Sequence, residues 1–183
     1  MTTRLAGVFE EGTAPPLTSP SIAMPAMDFV VQWNRCGITA DYLADYLAYA
    51  FERRDVARSV ITTAANELLE NAAKFSSDKQ APVRISARLR GNFLELEVEN
   101  VADADHVDAL TAVLDALSRG EAASLFASRI ESNERGGLGL IILARDYAAR
   151  LGARIVSANG GSVDETFSVT VRASITADEV EQR

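Results

Sequence analysis

The chain has 183 residues, of which 48% are hydrophobic and 24% charged, and its net charge at pH 7 is −8. This length suits one domain with a single core, and the negative charge argues against nucleic acid as the main partner. No apolar run approaches the roughly 20 residues that span a membrane, and the N-terminus lacks a secretory signal pattern, so we expect no membrane association and a cytoplasmic location. One cysteine and one histidine leave neither an internal disulfide nor a soft-metal cluster.

The N-terminal part is predicted to be poorly structured. Residues 1–26 hold four prolines among serine, threonine and glycine, which predicts a loose arm. A single domain is then expected over residues 27–178, with a tail at 179–183. A β-prone run at 27–33 predicts a short strand, and Thr39 offers an N-cap for the helix that follows.

The middle of the chain predicts a long helix and a β-hairpin. The helix covers about residues 55–75. From Val83 the apolar residues recur with a period of two, and Gly91-Asn92 predicts the hairpin turn. In the second strand Asn100 falls on the buried phase at the strand end, where a polar side chain needs a partner.

The C-terminal part predicts more helices and a closing pair of strands. Residues 105–130 predict helix broken at Gly120, followed by a polar loop. A glycine cluster at 136–139 opens another helix, which Gly152 is expected to end. Strands are predicted at about 153–158 and 167–175. This order predicts an α+β two-layer sandwich, with a mostly antiparallel sheet and helices on one face.

Three polar side chains share one face of the helix predicted over residues 55–75. Glu67, Asn71 and Lys74 lie at i, i+4 and i+7, within roughly 60° of one another. A carboxylate can orient or deprotonate a nucleophile, an amide oxygen can bind Mg²⁺, and an ammonium group can neutralise phosphate. The alternative is that Glu67 and Lys74 are ordinary solvated residues, since surface helices are rich in charge.

The glycine cluster is a second candidate site. Gly136, Gly137 and Gly139 would let backbone amides approach a phosphate, whose charge the following helix dipole favours, and Arg135 would add further donors. The alternative is a turn or lid that binds no ligand.

Together, about 65 residues apart, the two segments resemble those of the GHKL superfamily, which includes gyrase-type topoisomerases, Hsp90, histidine kinases, MutL and the anti-sigma-factor kinases. Residues 66–75 look like its N box and residues 136–140 like its second glycine box. The resemblance implies a GHKL (Bergerat) fold over about residues 56–175 that binds ATP and Mg²⁺. It also implies roles for individual residues: Glu67 as base or water-orienting acid, Asn71 as Mg²⁺ ligand, Lys74 as phosphate contact, and Gly136, Gly137 and Gly139 as phosphate loop.

The chain departs from the family at its first glycine box, an Asp-x-Gly-x-Gly motif that contacts adenine. Residues 100–104 are Asn-Val-Ala-Asp-Ala, so Asn100 takes the place of the aspartate and both glycines are absent. An amide oxygen can still accept a hydrogen bond from the adenine amino group. Thr166, one residue later than the family's threonine, is also assigned to cofactor binding.

The resemblance is strongest to the anti-sigma-factor type. No histidine precedes His106, which excludes autophosphorylation on an upstream histidine within this chain, and His106 is interpreted as a surface residue at a helix start. Members of this type carry glutamate at the Glu67 position and phosphorylate a serine of a STAS, or anti-anti-sigma, protein. The implied function is a bacterial partner-switching protein-serine kinase whose partner is a STAS protein or a sigma factor. The alternative is a catalytically inactive, nucleotide-sensing adaptor that sequesters such a partner, and a homodimer stays open.

Overall fold

The computed structural model describes residues 2–10, 15–132, 137–157 and 165–181. Its strands are β1 (Thr3–Gly7), β2 (Ser21–Pro25), β3 (Pro82–Arg90), β4 (Phe93–Asp103), β5 (Arg150–Ser157) and β6 (Thr166–Thr176). Its helices are α1 (Ala26–Val31), α2 (Asn34–Leu47), α3 (Arg54–Phe75), α4 (Ala104–Ser118), α5 (Ala122–Glu131), α6 (Leu138–Asp146) and α7 (Ala177–Glu181), and a 3₁₀ turn follows α2 at Ala48–Ala50.

The strands form one sheet in the spatial order β1-β5-β6-β4-β3-β2, and all neighbouring pairs are antiparallel. Because side chains alternate across a strand, one face of the central strand β4 carries Leu94, Leu96 and Val98, all of them buried. Helices α3 and α4 pack on this face, and α2 packs on α3. The predicted α+β two-layer sandwich with an antiparallel sheet is confirmed.

The prediction of a loose arm is wrong for two parts of residues 1–26. Thr3–Gly7 pairs with β5 and Ser21–Pro25 pairs with β3, so these segments form the two edges of the sheet. Backbone hydrogen bonds alone can add an edge strand, whatever its composition, and the proline of β2 lies at the strand end. The composition of these two segments therefore led to a wrong prediction of their structure.

The predicted strand over residues 27–33 is also wrong, because the chain forms α1 there. Phe29 and Ala26 are fully buried in the core, and α1 packs against α3. Tertiary burial has overridden the β propensity of this run. Helix α2 then begins at Asn34 and not at Thr39, which lies buried inside the helix.

Helix α6 is shorter than predicted. It ends at Asp146, and β5 begins at Arg150, so Gly152 belongs to a strand and does not end a helix. At Gly152 the N-terminal chain crosses the sheet: a Cβ there would lie 2.7 Å from Phe9 N. The glycine therefore makes room for a close approach of backbone.

The face of the sheet opposite the helices carries a charged cluster under this crossing. Glu97 and Arg172, 7% and 5% exposed, pair across β4 and β6, with Arg172 Nε donating to Glu97 Oε1 at 2.7 Å. Arg88 adds a contact of 2.7 Å to Glu97 Oε2, and Phe9 lies over the Arg172 guanidinium at 4.2 Å. The crossing segment thus buries charges that are paired.

Among the described helices, none is long and apolar enough to cross a bilayer.

Candidate functional site

A cavity of about 200 Å³ lies between the sheet, α3 and α4. Most of its wall is apolar and comes from Leu68, Ala72, Phe75, Val98, Ala102, Val107, Ala109, Leu110, Val113, Leu140, Val169 and Val171. The other lining residues are Asn71, Asn100, His106, Arg129 and Gly137. In the described part of the chain no carboxylate borders the cavity, although the protein as a whole is acidic.

The structure separates the three polar residues predicted on α3. Asn71 borders the cavity, and its Nδ2 donates to the backbone oxygen of Glu67 at 2.8 Å. That bond leaves Oδ1 as the amide atom that can bind a cation. Lys74, in the last turn of α3, is exposed and does not border the cavity. Its Nζ lies 5.1 Å from the centroid of the Phe75 ring.

Glu67 is half-buried and packs against the start of α6. A Cβ added to Gly139 would lie 2.8 Å from Glu67 Cδ and nearer still to Oε2. Burial raises the pKa of the Glu67 carboxyl, and the negative charge of Glu70 raises it further. The predicted acid and the predicted phosphate loop therefore meet in the fold, and only glycine at position 139 leaves room for the acid.

This contact predicts an energetic coupling between Gly139 and Glu67. Gly139→Ala is expected to destabilise the protein by about 1–3 kcal/mol, because the new methyl group overpacks the Glu67 side chain. In a Glu67→Ala background the same change should cost markedly less, since the clashing atoms are gone. Urea unfolding of the single and double variants measures the difference.

Gly37→Ala is the matched control for this prediction. A Cβ at Gly37, inside α2, would meet only Asn66 Oδ1 at 4.0 Å. The substitution is therefore expected to leave the stability of the protein unchanged or to raise it by up to about 1 kcal/mol. An equal cost of Gly139→Ala with and without the Glu67 side chain would contradict the contact.

Of the predicted phosphate loop, the structure describes Gly137 and Gly139. Gly137 caps the N-terminus of α6 with a φ of 73° and borders the cavity. Gly139 is buried one residue inside the helix. Arg135 and Gly136 lie outside the described residues.

Asn100 occupies the floor of the cavity on β4. It is 5% exposed, and its Nδ2 lies 3.4 Å from the backbone oxygen of Val101. In place of a glycine-rich loop, β4 continues to Asp103 and α4 begins at the next residue. Thr166 stands opposite Asp103 at the start of β6 and does not border the cavity.

Two lining residues were missed as site residues. His106 does lie in the first turn of α4, as interpreted, but it also borders the cavity. The spacing of Asp103 and His106, typical of an N-cap and its N3 residue, is the signal that marks this helix start. Arg129, in α5, carries no local signal, because only the packing of α5 brings it to the cavity.

Among the described residues, the donor set fits an Mg²⁺ ion shared with phosphate and water but does not fit a metal site made of protein ligands alone. Within the described ranges, no group of three or more His, Cys, Asp or Glu side chains could hold a metal ion. Mg²⁺ in nucleotide sites takes few protein ligands and completes its shell with phosphate oxygens and water. One amide oxygen at Asn71 fits that requirement.

Comparison with known proteins gives a structural neighbour but no family. No family model matches the chain, and no curated protein matches it. A chain of the SiaB–SiaC complex from Pseudomonas aeruginosa has a similar structure, with a TM-score of 0.62 and 16% sequence identity. The match covers 85% of this chain and 89% of that chain. The likeness shows that the two chains share a fold.

Proposed function

We propose that the protein binds ATP with Mg²⁺ in this cavity and acts as a protein-serine kinase of the partner-switching type. One observation carries the proposal: the cavity joins Asn71 of α3, Asn100 of β4 and Gly137 at the start of α6. These residues come from the N-box-like helix, the central strand and the glycine segment, which are far apart in the sequence. Their convergence on one cavity is what a shared nucleotide site requires.

The chemistry of the lining favours an anionic ligand with a flat apolar part. The ionisable side chains among the described lining residues are Arg129 and His106, and neither can be negative. The apolar wall suits a nucleobase, and the N-terminus of α6 behind Gly137 suits phosphate. An acidic protein whose cavity has no carboxylate among its described lining residues is thereby suited to bind a nucleotide in spite of its net charge.

Within this proposal Asn71 and Glu67 of α3 each have a defined task. Bound Mg²⁺ would neutralise charge on the transferring phosphate, and Asn71 Oδ1 would be one of its ligands. Glu67 would accept the proton of the attacking serine hydroxyl, a task that its raised pKa favours. The proposal gives Lys74 and Thr166 no role in holding the nucleotide, because neither borders the cavity.

Asn100→Ala provides a test of base recognition at the cavity floor. If Asn100 contacts the base, the variant is expected to bind ADP more weakly by about 1–3 kcal/mol, since a buried polar group of the base loses its partner. Asn100→Asp, which restores the family residue, should bind at least as tightly as the parent. Calorimetry with Mg²⁺ present measures both, and parent-like affinity in the alanine variant would mean that the base is recognised elsewhere.

Two observations support a protein partner. The structural neighbour was solved as a complex named for two components, SiaB and SiaC. In addition, α2 and the 3₁₀ turn expose a row of large apolar side chains at helical spacing: Ile38, Tyr42, Tyr46 and Tyr49. Exposed aromatic rows of this kind are enriched at protein interfaces. The STAS protein or sigma factor implied by the sequence resemblance is the partner we propose.

The second candidate function is a nucleotide-sensing adaptor that binds such a partner without phosphorylating it. The direct passage from β4 into α4, with no glycine loop, favours this alternative. Incubation with labelled ATP and the STAS proteins encoded nearby separates the two functions. Label on the STAS protein supports the kinase, whereas a stable complex without label supports the adaptor.

A further inference from the structure

Asp103 and His106 form a pair where β4 meets α4. The Asp103 carboxylate caps the helix, accepting from the backbone N–H of His106 at 2.9 Å. The same oxygen, Oδ1, lies 2.7 Å from His106 Nδ1. An ionised carboxylate can only accept, so Nδ1 carries the proton and donates it to Asp103. The pKa of Asp103 lies below its ordinary value, chiefly because of the backbone hydrogen bond from His106, which keeps the carboxylate ionised.

This arrangement fixes the chemistry of the other ring nitrogen. In the tautomer whose proton is on Nδ1, Nε2 carries a lone pair and acts as an acceptor. Among the described residues no hydrogen bond is made to Nε2. The ring borders the cavity and lies against Phe75, with 5.2 Å between the ring centroids. In this tautomer, His106 therefore has an acceptor nitrogen, held in its role by Asp103, at the border of the cavity.

The end of the cavity at His106 is the end away from the glycine segment. Glu67 packs on Gly139, whereas Phe75 is two helical turns further along α3, a rise of about 12 Å. Ser77, just beyond α3, donates its backbone N–H to Val101 O, which brings this end of the helix to the Asn100 end of β4. If the phosphates bind at Gly137, the base would lie beside His106 and Asn100.

We propose that His106 Nε2 accepts a hydrogen bond from the exocyclic amino group of the base, and so selects a 6-aminopurine over a 6-oxopurine. The inference rests on the proposed nucleotide site. Asn100 makes this choice only loosely, because an amide offers both a donor and an acceptor and pairs with either purine after a flip. Among its described contacts, the one that opposes the flip is the long one, 3.4 Å, from Nδ2 to the backbone oxygen of Val101. A carboxylate at that position would accept only. In this chain an acceptor that a flip cannot turn into a donor is supplied by His106, whose tautomer Asp103 fixes.

The test compares Mg²⁺-ADP with Mg²⁺-IDP, the inosine nucleotide that carries an oxo group in place of the amino group. The parent is expected to bind ADP about 2- to 10-fold more tightly than IDP, the difference made by one hydrogen bond. His106→Phe keeps an aromatic ring beside Phe75 but removes the acceptor, so the ratio of the two affinities should fall to about one. Calorimetry measures all four affinities.

Two further variants sharpen the result. Asp103→Asn keeps a side-chain oxygen that can cap the helix but no longer holds the proton of His106 on Nδ1. The preference for ADP over IDP should therefore fall again. This variant also serves as the test if His106→Phe does not fold. Asn100→Ala is the matched comparison, since it should weaken ADP and IDP by the same factor.

A preference that persists in both His106→Phe and Asp103→Asn, or a parent that binds the two nucleotides equally, overturns the role of His106 while the nucleotide site stands. A folded parent that binds neither nucleotide overturns the proposed function and this inference together.

Discussion

Glu67→Gln is expected to lower phosphate transfer to a cognate STAS protein by roughly 10²- to 10⁴-fold while ATP affinity changes little. The substitution keeps the size of the side chain beside Gly139 but removes the charge that would take the serine proton. The effect is expected on turnover because Glu67 does not border the cavity and so would make little contact with a bound nucleotide. Single-turnover transfer from labelled ATP, together with calorimetric ATP affinity, measures both quantities.

Asn71→Ala is the comparison variant, since it should differ in kind. Loss of a Mg²⁺ ligand should weaken nucleotide binding and lower transfer together. The kinase proposal fails if the parent binds both ATP and its partner yet transfers no phosphate. In that case the adaptor function remains.

Glu97→Ala is expected to lower the free energy of unfolding by about 3–5 kcal/mol, because it leaves the guanidinium of Arg172 buried without its carboxylate. Burial opposes ionisation of Glu97, but the hydrogen bonds and charges of Arg172 and Arg88 outweigh it and hold the pKa below its ordinary value of 4.5. The stabilisation from a lowered pKa is present above 4.5 and is lost as the pH falls through the folded-state value. The difference in the free energy of unfolding between the parent and Glu97→Ala should therefore become smaller at acid pH. Urea unfolding at pH 7 and at decreasing pH measures it.

Glu99→Ala is the matched control for the buried pair. Glu99 lies on the same strand and the same face, two residues on, but it is exposed and accepts only from Ser168 Oγ at 3.1 Å among its described contacts. Its removal should change the free energy of unfolding by less than about 0.5 kcal/mol. Equal losses in the two variants would show that the Glu97–Arg172 pair is not a special stabilising element of the sheet.

The elements that the sequence predicted well have strong local signals. Helix α3 and the β3–β4 hairpin have clear periodicity over many residues, so their bounds differ little from those predicted. The order of strands and helices then limits the fold to a layered antiparallel sheet. The convergence of Asn71 and Gly137 on one cavity was implied by the family resemblance, since no local pattern places two distant segments together.

The elements that it predicted poorly depend on tertiary contacts. Edge strand β1 forms because its backbone pairs with β5, and α1 forms because Phe29 is buried against α3. Neither requirement leaves a periodic pattern in a segment of five or six residues. Arg129 reaches the cavity for the same kind of reason. The Asp103–His106 pair is different, because its spacing is visible in the sequence but its position at the cavity is not.

The central claim is that the cavity between α3, α4 and the sheet holds a nucleotide with Mg²⁺. Calorimetric titration of the parent protein with ATP, with and without Mg²⁺, and of Asn71→Ala in parallel, tests it most directly. Saturable binding to the parent is expected, and the affinity should fall when Mg²⁺ is withdrawn and fall similarly in the variant. Folded parent protein that shows no binding to ATP or ADP at millimolar concentration would contradict it.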